Sequence, residues 1–257
     1  ILPRHKTCGG GMPSTITKYL KDIEPSAFIE SEVKYMRHTF NFKDSFLFPI
    51  NQDSQKKEIT LFMVQRSIFD NAITKNAVKA GAYLKDGLSL DSIEIENGKV
   101  KITAKSKDKN VFTARADYLI GADGANGQVA KYSGLRKDRV LAFALEVEHP
   151  HDWKSGHIDL RKEVMHLEYG IPGGYSWVFP KGEHINVGAG IFAPYSKEVK
   201  TIENPKQLLQ KAIYDYLDML EVSYNKEKMH FYGHPLPIWN GKEKLQTKDG
   251  KILLVGD

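Results

Sequence analysis

The fold class follows from Tyr118-Leu-Ile-Gly-Ala-Asp-Gly-Ala-Asn126 and Lys251-Ile-Leu-Leu-Val-Gly-Asp257, two short apolar runs that each end in glycine and aspartate. A strand inside a parallel sheet is covered on both faces, so it needs no alternation of polar and apolar residues. Ligands of α/β sheets bind at the carboxyl ends of such strands, where Asp123 and Asp257 stand. We therefore expect neighbouring buried strands whose acids converge on one nucleotide-binding crevice.

Composition narrows the class of protein. The 257 residues are 41% hydrophobic, which suits one large domain or two small ones. The sequence shows neither an apolar run of about 18 residues nor a signal peptide, so we expect a cytoplasmic protein. The single cysteine, Cys8, is typical of a reducing compartment. The net charge of +5 is spread among acidic residues, which favours an anionic ligand or a lipid headgroup over nucleic acid.

Periodicity predicts the elements of the first half of the chain. A glycine loop at Gly9–Gly11 leads into a helix that runs through Ile23. Antiparallel strands follow over Val33–Phe42 and Ile59–Val64, joined by a turn at Gln52–Lys57. A helix over Ser67–Gly81, with Phe69, Ile73, Ala77 and Ala80 on its apolar face, precedes a short strand at Tyr83-Leu84. Asn97-Gly98 then separates Asp91–Glu96 from Lys99–Ala104. Because both positions of such a turn need positive φ, the pair predicts a hairpin, and a strand from Val111 completes a meander.

The second half is β-rich from Val140 to Phe192 and then helical. Asn204-Pro205-Lys206-Gln207 has the N-cap, the first-turn proline and the capping-box partner of a helix start. The order of elements predicts a mixed α/β (α+β) fold, in which a partial parallel nucleotide-binding sheet with a β-meander is interrupted by an antiparallel mixed-sheet substrate domain. The expected nucleotide-binding segments are 1–32, 66–136 and 251–257, and the expected substrate-binding segments are 33–65 and 137–250.

Several residue patterns are candidates for a binding site. Tyr175, Trp177 and Phe179 alternate along a predicted strand and so share one face, which can wall an apolar cavity or form an ordinary core stripe. The Cys8–Gly11 loop offers backbone N–H groups without side chains, and Arg66 can meet a pyrophosphate, although a plain loop and a surface arginine are open alternatives. The histidines lack the spacing of a metal site, so we expect no metal.

Taken together, these motifs resemble the geranylgeranyl reductase family of FAD-dependent oxidoreductases, within the aromatic-hydroxylase-like flavoproteins. The matching segments are Pro3-Arg4-His-Lys-Thr-Cys8-Gly-Gly-Gly11, Arg66-Ser-Ile-Phe69-Asp70, Gly121-Ala-Asp-Gly124, Tyr175-x-Trp177-x-Phe179-Pro180 with Gly188-x-Gly190, and Leu254-Val-Gly-Asp257. The resemblance implies FAD contacts from Cys8, Gly9, Gly11, Arg66, Leu90, Asp123 and Asp257. It implies that an isoprenoid chain is held by Tyr175, Trp177, Phe179, Pro180, Gly188 and Gly190. It identifies no catalytic residue.

The activity that the resemblance implies is reduction of carbon–carbon double bonds in geranylgeranyl chains. The flavin would deliver hydride, NAD(P)H or ferredoxin would supply electrons, and the lipid substrate implies peripheral membrane contact. The alternatives are a flavin monooxygenase or electron-transferring dehydrogenase of the same group, and a prenyl-lipid-binding module without redox activity. The family's opening strand, its Gly-x-Gly-x-x-Gly loop and the helix after the last Gly-Asp are absent from the sequence. We therefore expect a fragment that binds FAD weakly or not at all.

Overall fold

The computed structural model describes residues 2–20, 22–51, 60–137, 139–154 and 156–256. The predicted turn at Gln52–Lys57, the first residue of the Ile59–Val64 strand and Asp257 lie outside these ranges. The chain divides into two compact units, which are treated separately below. The meander unit comprises Leu84–Ala142 and Pro235–Asp257, and the sheet unit comprises Leu2–Tyr83 and Phe143–His234. The functional division of the chain given above stays a prediction.

Helices and strands are mixed along the chain, which confirms the predicted fold class. In chain order the elements are β1 Gly11–Pro13, β2 Ile29–Val33, β3 Tyr35–Phe40, β4 Lys43–Pro49, β5 Leu61–Val64, α1 Arg66–Lys79, β6 Leu88–Glu96, β7 Lys99–Ser106, β8 Val111–Ala116, β9 Leu119–Gly121, α2 Gln128–Ser133, β10 Val140–Pro150, β11 Val164–Glu168, β12 Gly174–Pro180, β13 His184–Ile191, α3 Lys197–Lys200, α4 Pro205–Met219, β14 Tyr232–Ile238 and β15 Ile252–Leu254. Among the described residues, no helix combines the length and the apolar character needed to cross a bilayer.

The meander unit confirms two predictions. Strands β6, β7 and β8 form an antiparallel sheet, and Asn97 and Gly98 turn its first hairpin with φ of 50° and 75°. Strands β9 and β15 pair in parallel, with Leu119 opposite Ile252 and Gly121 opposite Leu254. The two apolar runs that decide the fold are therefore neighbouring parallel strands.

The expectation that both faces of these strands are buried is wrong. Helix α2 and the meander cover one face, where Val129 and Leu254 pack together. Ile120 is 61% exposed and Val255 is 52% exposed. The second face is open because no described element of the meander unit packs on it, so an unbroken apolar run does not here indicate a fully buried strand.

The sheet unit is built on a seven-stranded sheet with the order β14-β10-β13-β12-β11-β3-β4, in which β11 and β3 pair in parallel. One face of this sheet packs against α4 through a core that includes Val178, Val187, Leu209, Ile213 and Leu217, each fully buried. Asn204 caps α4 as predicted, since its Oδ1 accepts the N–H of Gln207 at 3.1 Å. Strands β1, β5 and β2 form a second, three-stranded sheet.

Strand pairing at the start of the sheet unit differs from the prediction. The Val33–Phe42 segment is divided between β2 and β3, and β5 pairs with β2 and β1 rather than with β3. The antiparallel partner of β3 is β4, a strand that the sequence did not predict because all its residues are exposed and it has no buried alternation.

Three local predictions also need correction. The segment after the glycine loop forms only a 3-10 helix over Ser14–Lys18, since Thr15, Ile16 and Thr17 are β-branched and disfavour an α-helix. Tyr83-Leu84 belongs to no strand, and Tyr83 is 96% exposed. Helix α1 is confirmed, but on its predicted apolar face only Phe69 packs, against Phe28, while Ile73, Ala77 and Ala80 are exposed.

Candidate functional site

The face of the seven-stranded sheet opposite α4 carries the predicted aromatic residues. Strand register aligns Glu146, Gly188, Trp177, Leu167 and His38 across β10, β13, β12, β11 and β3. Directly paired residues of neighbouring strands point to the same side of a sheet. Tyr175 and Phe179 lie two residues on either side of Trp177 and share that side. We call this surface the aromatic face; α4 packs on the opposite side.

Trp177 is the centre of the aromatic face. Its ring centroid lies 6.0 Å from that of Tyr175 and 6.1 Å from that of Phe179, so the three side chains form the predicted row. The indole is 7% exposed, and its Nε1–H donates to Asn186 Oδ1 at 2.7 Å. A Cβ at Gly188 would lie 2.1 Å from the indole ring. Glycine is therefore needed at 188 because the indole lies flat on the backbone there.

Two further residues of the predicted prenyl-binding set have structural roles in the sheet unit. A Cβ at Gly190 would lie 2.6 Å from the ring of Phe192, which stacks on Tyr175 with centroids 4.8 Å apart. Pro180 is buried, and its carbonyl accepts the Ser31 hydroxyl at 2.6 Å. Their contacts with an isoprenoid chain stay a prediction.

The Cys8–Gly11 loop lies directly on the aromatic face. A Cβ at Gly9 would come within 2.4 Å of the Phe179 ring, so the loop backbone packs directly against the aromatic row. The carbonyl of Gly10 accepts the N–H of Val64 at 2.9 Å, which joins the loop to β5. The structure therefore brings together the loop and the aromatic motif, two segments that are far apart in sequence.

Lys181 holds this loop in place, a role that was not predicted from the sequence. Its ammonium is buried and donates to the carbonyls of Gly9, at 2.6 Å, and Val64, at 2.7 Å. Burial lowers the pKa of Lys181, while the nearby carboxylates of Glu148 and Glu30 favour its charged form. The available signal was its position directly after the aromatic motif, at the end of a buried strand.

Glu146 is a second buried ionisable group that the sequence did not single out. It is 1% exposed on the aromatic face, and its Oε1 accepts the N–H of Cys8 at 2.8 Å. Burial raises the pKa of Glu146 to about 7, against the opposing effects of the hydrogen bonds from Asn186 and Cys8. The neighbouring Glu148 raises this pKa further. A substantial fraction of Glu146 is therefore protonated at neutral pH.

Arg66 lies beside the loop at the start of α1. Its guanidinium donates to both carboxylate oxygens of Asp70, at 2.7 and 3.0 Å. Burial lowers the pKa of Arg66, but hydrogen bonds with Asp70 and Cys8 raise it by more. The net shift of the pKa is upward, and the guanidinium stays charged. Cys8, Gly9, Gly11 and Arg66, four of the predicted FAD contacts, are thus gathered in the sheet unit.

The remaining predicted FAD contacts belong to the meander unit or lie outside the described residues. Asp123 is exposed, and its Oδ2 accepts the N–H of Val129 at 2.9 Å, which caps the start of α2. Leu90 lies at a register shift of β6 and packs against the cluster around Val129. Asp257 is not described. FAD binding by these three residues stays a prediction.

Within the described part of the chain, one group of potential metal ligands occurs beside the loop. His5, Glu146 and Glu148 offer ligand atoms within 4.8 Å of one another. Both carboxylates already accept protein hydrogen bonds, Glu146 from Cys8 and Glu148 from Asn186. The sequence-based expectation of no metal stays a prediction.

The backbone at Gly10 allows a first test of the loop geometry. Its φ is +73°, and a Cβ there would lie 2.1 Å from the carbonyl oxygen of Val64. We expect Gly10→Ala to destabilise the sheet unit by more than the roughly 1–2 kcal/mol that a left-handed conformation costs alanine, because β5 must also move. Gly87→Ala is the control: φ is +67° there, and nothing lies within 4 Å of the added Cβ. Equal losses in urea unfolding would contradict the predicted contact.

Comparison with known proteins gives matches along the chain. A family model described as "Geranylgeranyl reductase catalytic domain" matches residues 154–229. A second model, described as "FAD binding domain", matches residues 28–160, which is just over half of the chain. The two matches together cover most of the sheet unit and the meander.

Relatives with similar sequences come from archaea and plants. An uncharacterized protein of Methanosarcina barkeri is 31% identical over 257 residues, covering 99% of this chain and 58% of its own length. A digeranylgeranylglycerophospholipid reductase of Methanocella arvoryzae is 32% identical over 200 residues, covering 76% of this chain and 47% of its own length. The chain thus spans about half the length of these relatives.

Solved structures with similar folds include a reductase-like protein and flavin-dependent enzymes. A geranylgeranyl bacteriochlorophyll reductase-like protein from Thermoplasma acidophilum matches with a TM-score of 0.74 and 23% identity, covering 99% of this chain and 62% of that one. A flavin-dependent brominase matches with a TM-score of 0.69 and 18% identity, covering 100% of this chain and 63% of that one. At these identities the likeness concerns the fold alone.

Proposed function

Because the chain belongs to the geranylgeranyl reductase-like family of FAD-binding oxidoreductases, we propose that it holds an isoprenoid chain against FAD for the reduction of carbon–carbon double bonds. One observation carries this proposal. The aromatic row of Tyr175, Trp177 and Phe179 lies in contact with the Cys8–Gly11 loop, so an apolar wall adjoins the segment expected to touch the flavin.

FAD is the cofactor that the family indicates, and the residues of the sheet unit fit it. Gly9 and Gly11 present backbone without side chains, so a flat ring or a phosphate can approach the loop closely. Arg66 keeps a positive charge beside Cys8, which suits an anionic group of the cofactor. When bound, FAD supplies the hydride that reduces an alkene.

The chain's own residues supply orientation and a proton. Trp177 is held by Asn186 and Gly188, so the wall that orients the alkene is rigid. We propose that Glu146 holds the proton for the second alkene carbon at its carboxyl group, because it is buried on the same face and its pKa is about 7. Glu148 and His184, joined at 2.9 Å, are partly exposed beside it and can return the proton from solvent.

The test is an assay of the protein with added FAD. FAD is supplied in excess and reduced anaerobically with dithionite, which bypasses the unknown electron donor, and a digeranylgeranyl glycerophospholipid is presented in detergent. We expect mass spectrometry to show the gain of two hydrogens for each double bond lost. A gain of oxygen after admission of air would instead support a flavin monooxygenase. Saturable lipid binding with no change of mass would support a prenyl-binding module, and no binding at all would refute the proposal.

A further inference from the structure

The aromatic row does not stop at Tyr175. Ring contacts continue from Tyr175 to Tyr169, from Tyr169 to His38, from His38 to Phe48 and from Phe48 to Phe46, with centroid separations of 6.2, 5.6, 5.6 and 6.2 Å. All of these residues belong to the sheet unit. We call this set the distal row: Phe46, Phe48, His38, Tyr169 and Tyr175.

The distal row crosses the sheet from the middle to its edge. It passes from β12 over β11 and β3 to β4, the last strand of the seven. Three strand spacings correspond to about 14 Å, and the part along β12 from Tyr175 to Phe179 adds about 13 Å. Trp177 is 7% exposed, whereas Tyr169 is 40% exposed and Phe46, at the sheet edge, is 58% exposed. The path therefore begins buried at the glycine loop and ends open to solvent.

The distal row is uncharged along its length. Burial lowers the pKa of His38, and its Nδ1 lies 3.1 Å from the hydroxyl of Tyr169. Burial raises the pKa values of Tyr169 and Tyr175, so both hydroxyls stay neutral. On β3 and β11 the charged residues have the opposite parity: Arg37 pairs with His166, and Glu168 pairs with Ser176, on the side that faces α4. The side chains that form the row are therefore neutral rings.

We propose that the distal row is a substrate subsite that binds the far isoprene units of a long prenyl chain and thereby sets the chain length that the protein prefers. This inference rests on the proposed function, because it extends the wall next to the glycine loop. A continuous row of uncharged rings that runs from buried to exposed positions matches a long flexible hydrocarbon. A compact ligand would need only the three rings at Tyr175, Trp177 and Phe179.

The experiment compares ligands of three lengths on the 257-residue chain. Geranyl, farnesyl and geranylgeranyl diphosphate are titrated below their critical micelle concentrations, and binding is followed by tryptophan fluorescence. The variant is Phe46→Ala with Phe48→Ala, two exposed residues whose loss leaves the core intact. Leu47→Ala is the matched control, since Leu47 is 46% exposed on the same strand but points to the other side.

We expect the double variant to weaken geranylgeranyl diphosphate binding about tenfold or more, with a smaller loss for farnesyl and none for geranyl diphosphate. Leu47→Ala should leave the binding of all three ligands unchanged.

Equal losses of affinity for all three chain lengths, or unchanged geranylgeranyl diphosphate binding, would overturn the inference while leaving the proposed function in place. If the double variant changes only the oligomeric state, measured by analytical ultracentrifugation, the distal row is a contact between copies of the chain and the inference is wrong. If the unaltered chain binds none of the ligands, both proposals fail. Binding with length preference but no reduction would refute only the proposed function.

Discussion

Glu146→Gln is expected to raise the free energy of unfolding by about 3 kcal/mol at pH 8 and to change it little at pH 4. The pKa of Glu146 is about 7 in the folded chain and near 4.5 when the carboxyl is hydrated. The folded state therefore binds the proton more tightly, and stability is lost as pH rises through the folded pKa. At about 1.4 kcal/mol per pKa unit this difference gives roughly 3 kcal/mol. Glutamine avoids the cost because it is never ionised, and its oxygen can still accept the Cys8 N–H.

The measurement is urea unfolding of wild type and variant at each pH from 4 to 8. Wild type and variant must be compared at equal pH because His166 also makes the stability depend on pH, in the opposite direction. Burial lowers the pKa of His166 to about 4, so the folded state loses stability as the pH falls below 6.5, the ordinary pKa of histidine. Glu183→Gln, which changes an exposed carboxylate, is the control and should show no such pH trend. A constant difference between wild type and Glu146→Gln would show that Glu146 is not the buried acid described here.

The same variant tests the proposed proton source. We expect Glu146→Gln to slow double-bond reduction about a hundredfold, the lower end of what general acid catalysis contributes. The wild-type rate should fall as pH rises above about 7, where Glu146 loses its proton, and the residual rate of the variant should not follow this profile. Prenyl binding should be unchanged, which separates proton supply from substrate placement. An unchanged rate would assign the proton to another donor.

Trp177→Ala is expected to destabilise the sheet unit by about 3–5 kcal/mol and to abolish prenyl binding. The substitution leaves a cavity between Tyr175 and Phe179 and removes the donor to buried Asn186. Trp177→Phe keeps a ring but leaves the Asn186 acceptor unpaired, so we expect a loss of about 1–3 kcal/mol with prenyl binding retained. Both values come from urea unfolding followed by circular dichroism.

The control for this series is Trp239→Ala. Trp239 is 65% exposed, so its removal should change stability by no more than about 0.5 kcal/mol. If Trp177→Ala is equally mild, the indole does not organise the aromatic face. If Trp177→Ala stays folded at low temperature and binds prenyl diphosphates with full affinity, the aromatic row is core packing and not a binding wall.

Elements with local signals could be predicted from the sequence. The Asn97-Gly98 hairpin and the capped start of α4 depend on neighbouring residues only, and both are confirmed. The face shared by Tyr175, Trp177 and Phe179 follows from the two-residue period of a strand. Strand partners are different, because pairing joins distant segments. The pairing of β5 with β2, and the existence of β4, could not be derived from patterns within either segment.

In the candidate site, too, local patterns could be predicted from the sequence and contacts between distant segments could not. The glycine loop and aromatic motif were visible in the sequence, but their contact was not. Glu146 and Lys181 were missed because charged residues are ordinarily solvated, and only the tertiary structure shows that these two are buried. For Asp123, the Gly-Ala-Asp-Gly setting predicted a ligand contact, which stays a prediction; that its carboxylate also caps the start of α2 could be seen only in the structure.

Strand β4 has a consequence for handling the protein in concentrated solution. It is the outer strand of its sheet, and the residues of Lys43–Pro49 are exposed, including three consecutive large apolar side chains, Phe46, Leu47 and Phe48. The outer edge of such a strand, which pairs with no described strand, is a template on which a second polypeptide can extend the sheet, and Lys43 and Pro49 at its two ends hinder that growth only partly. Precipitation of the purified protein should therefore begin at this strand, and a lysine in place of Leu47 should raise the solubility limit.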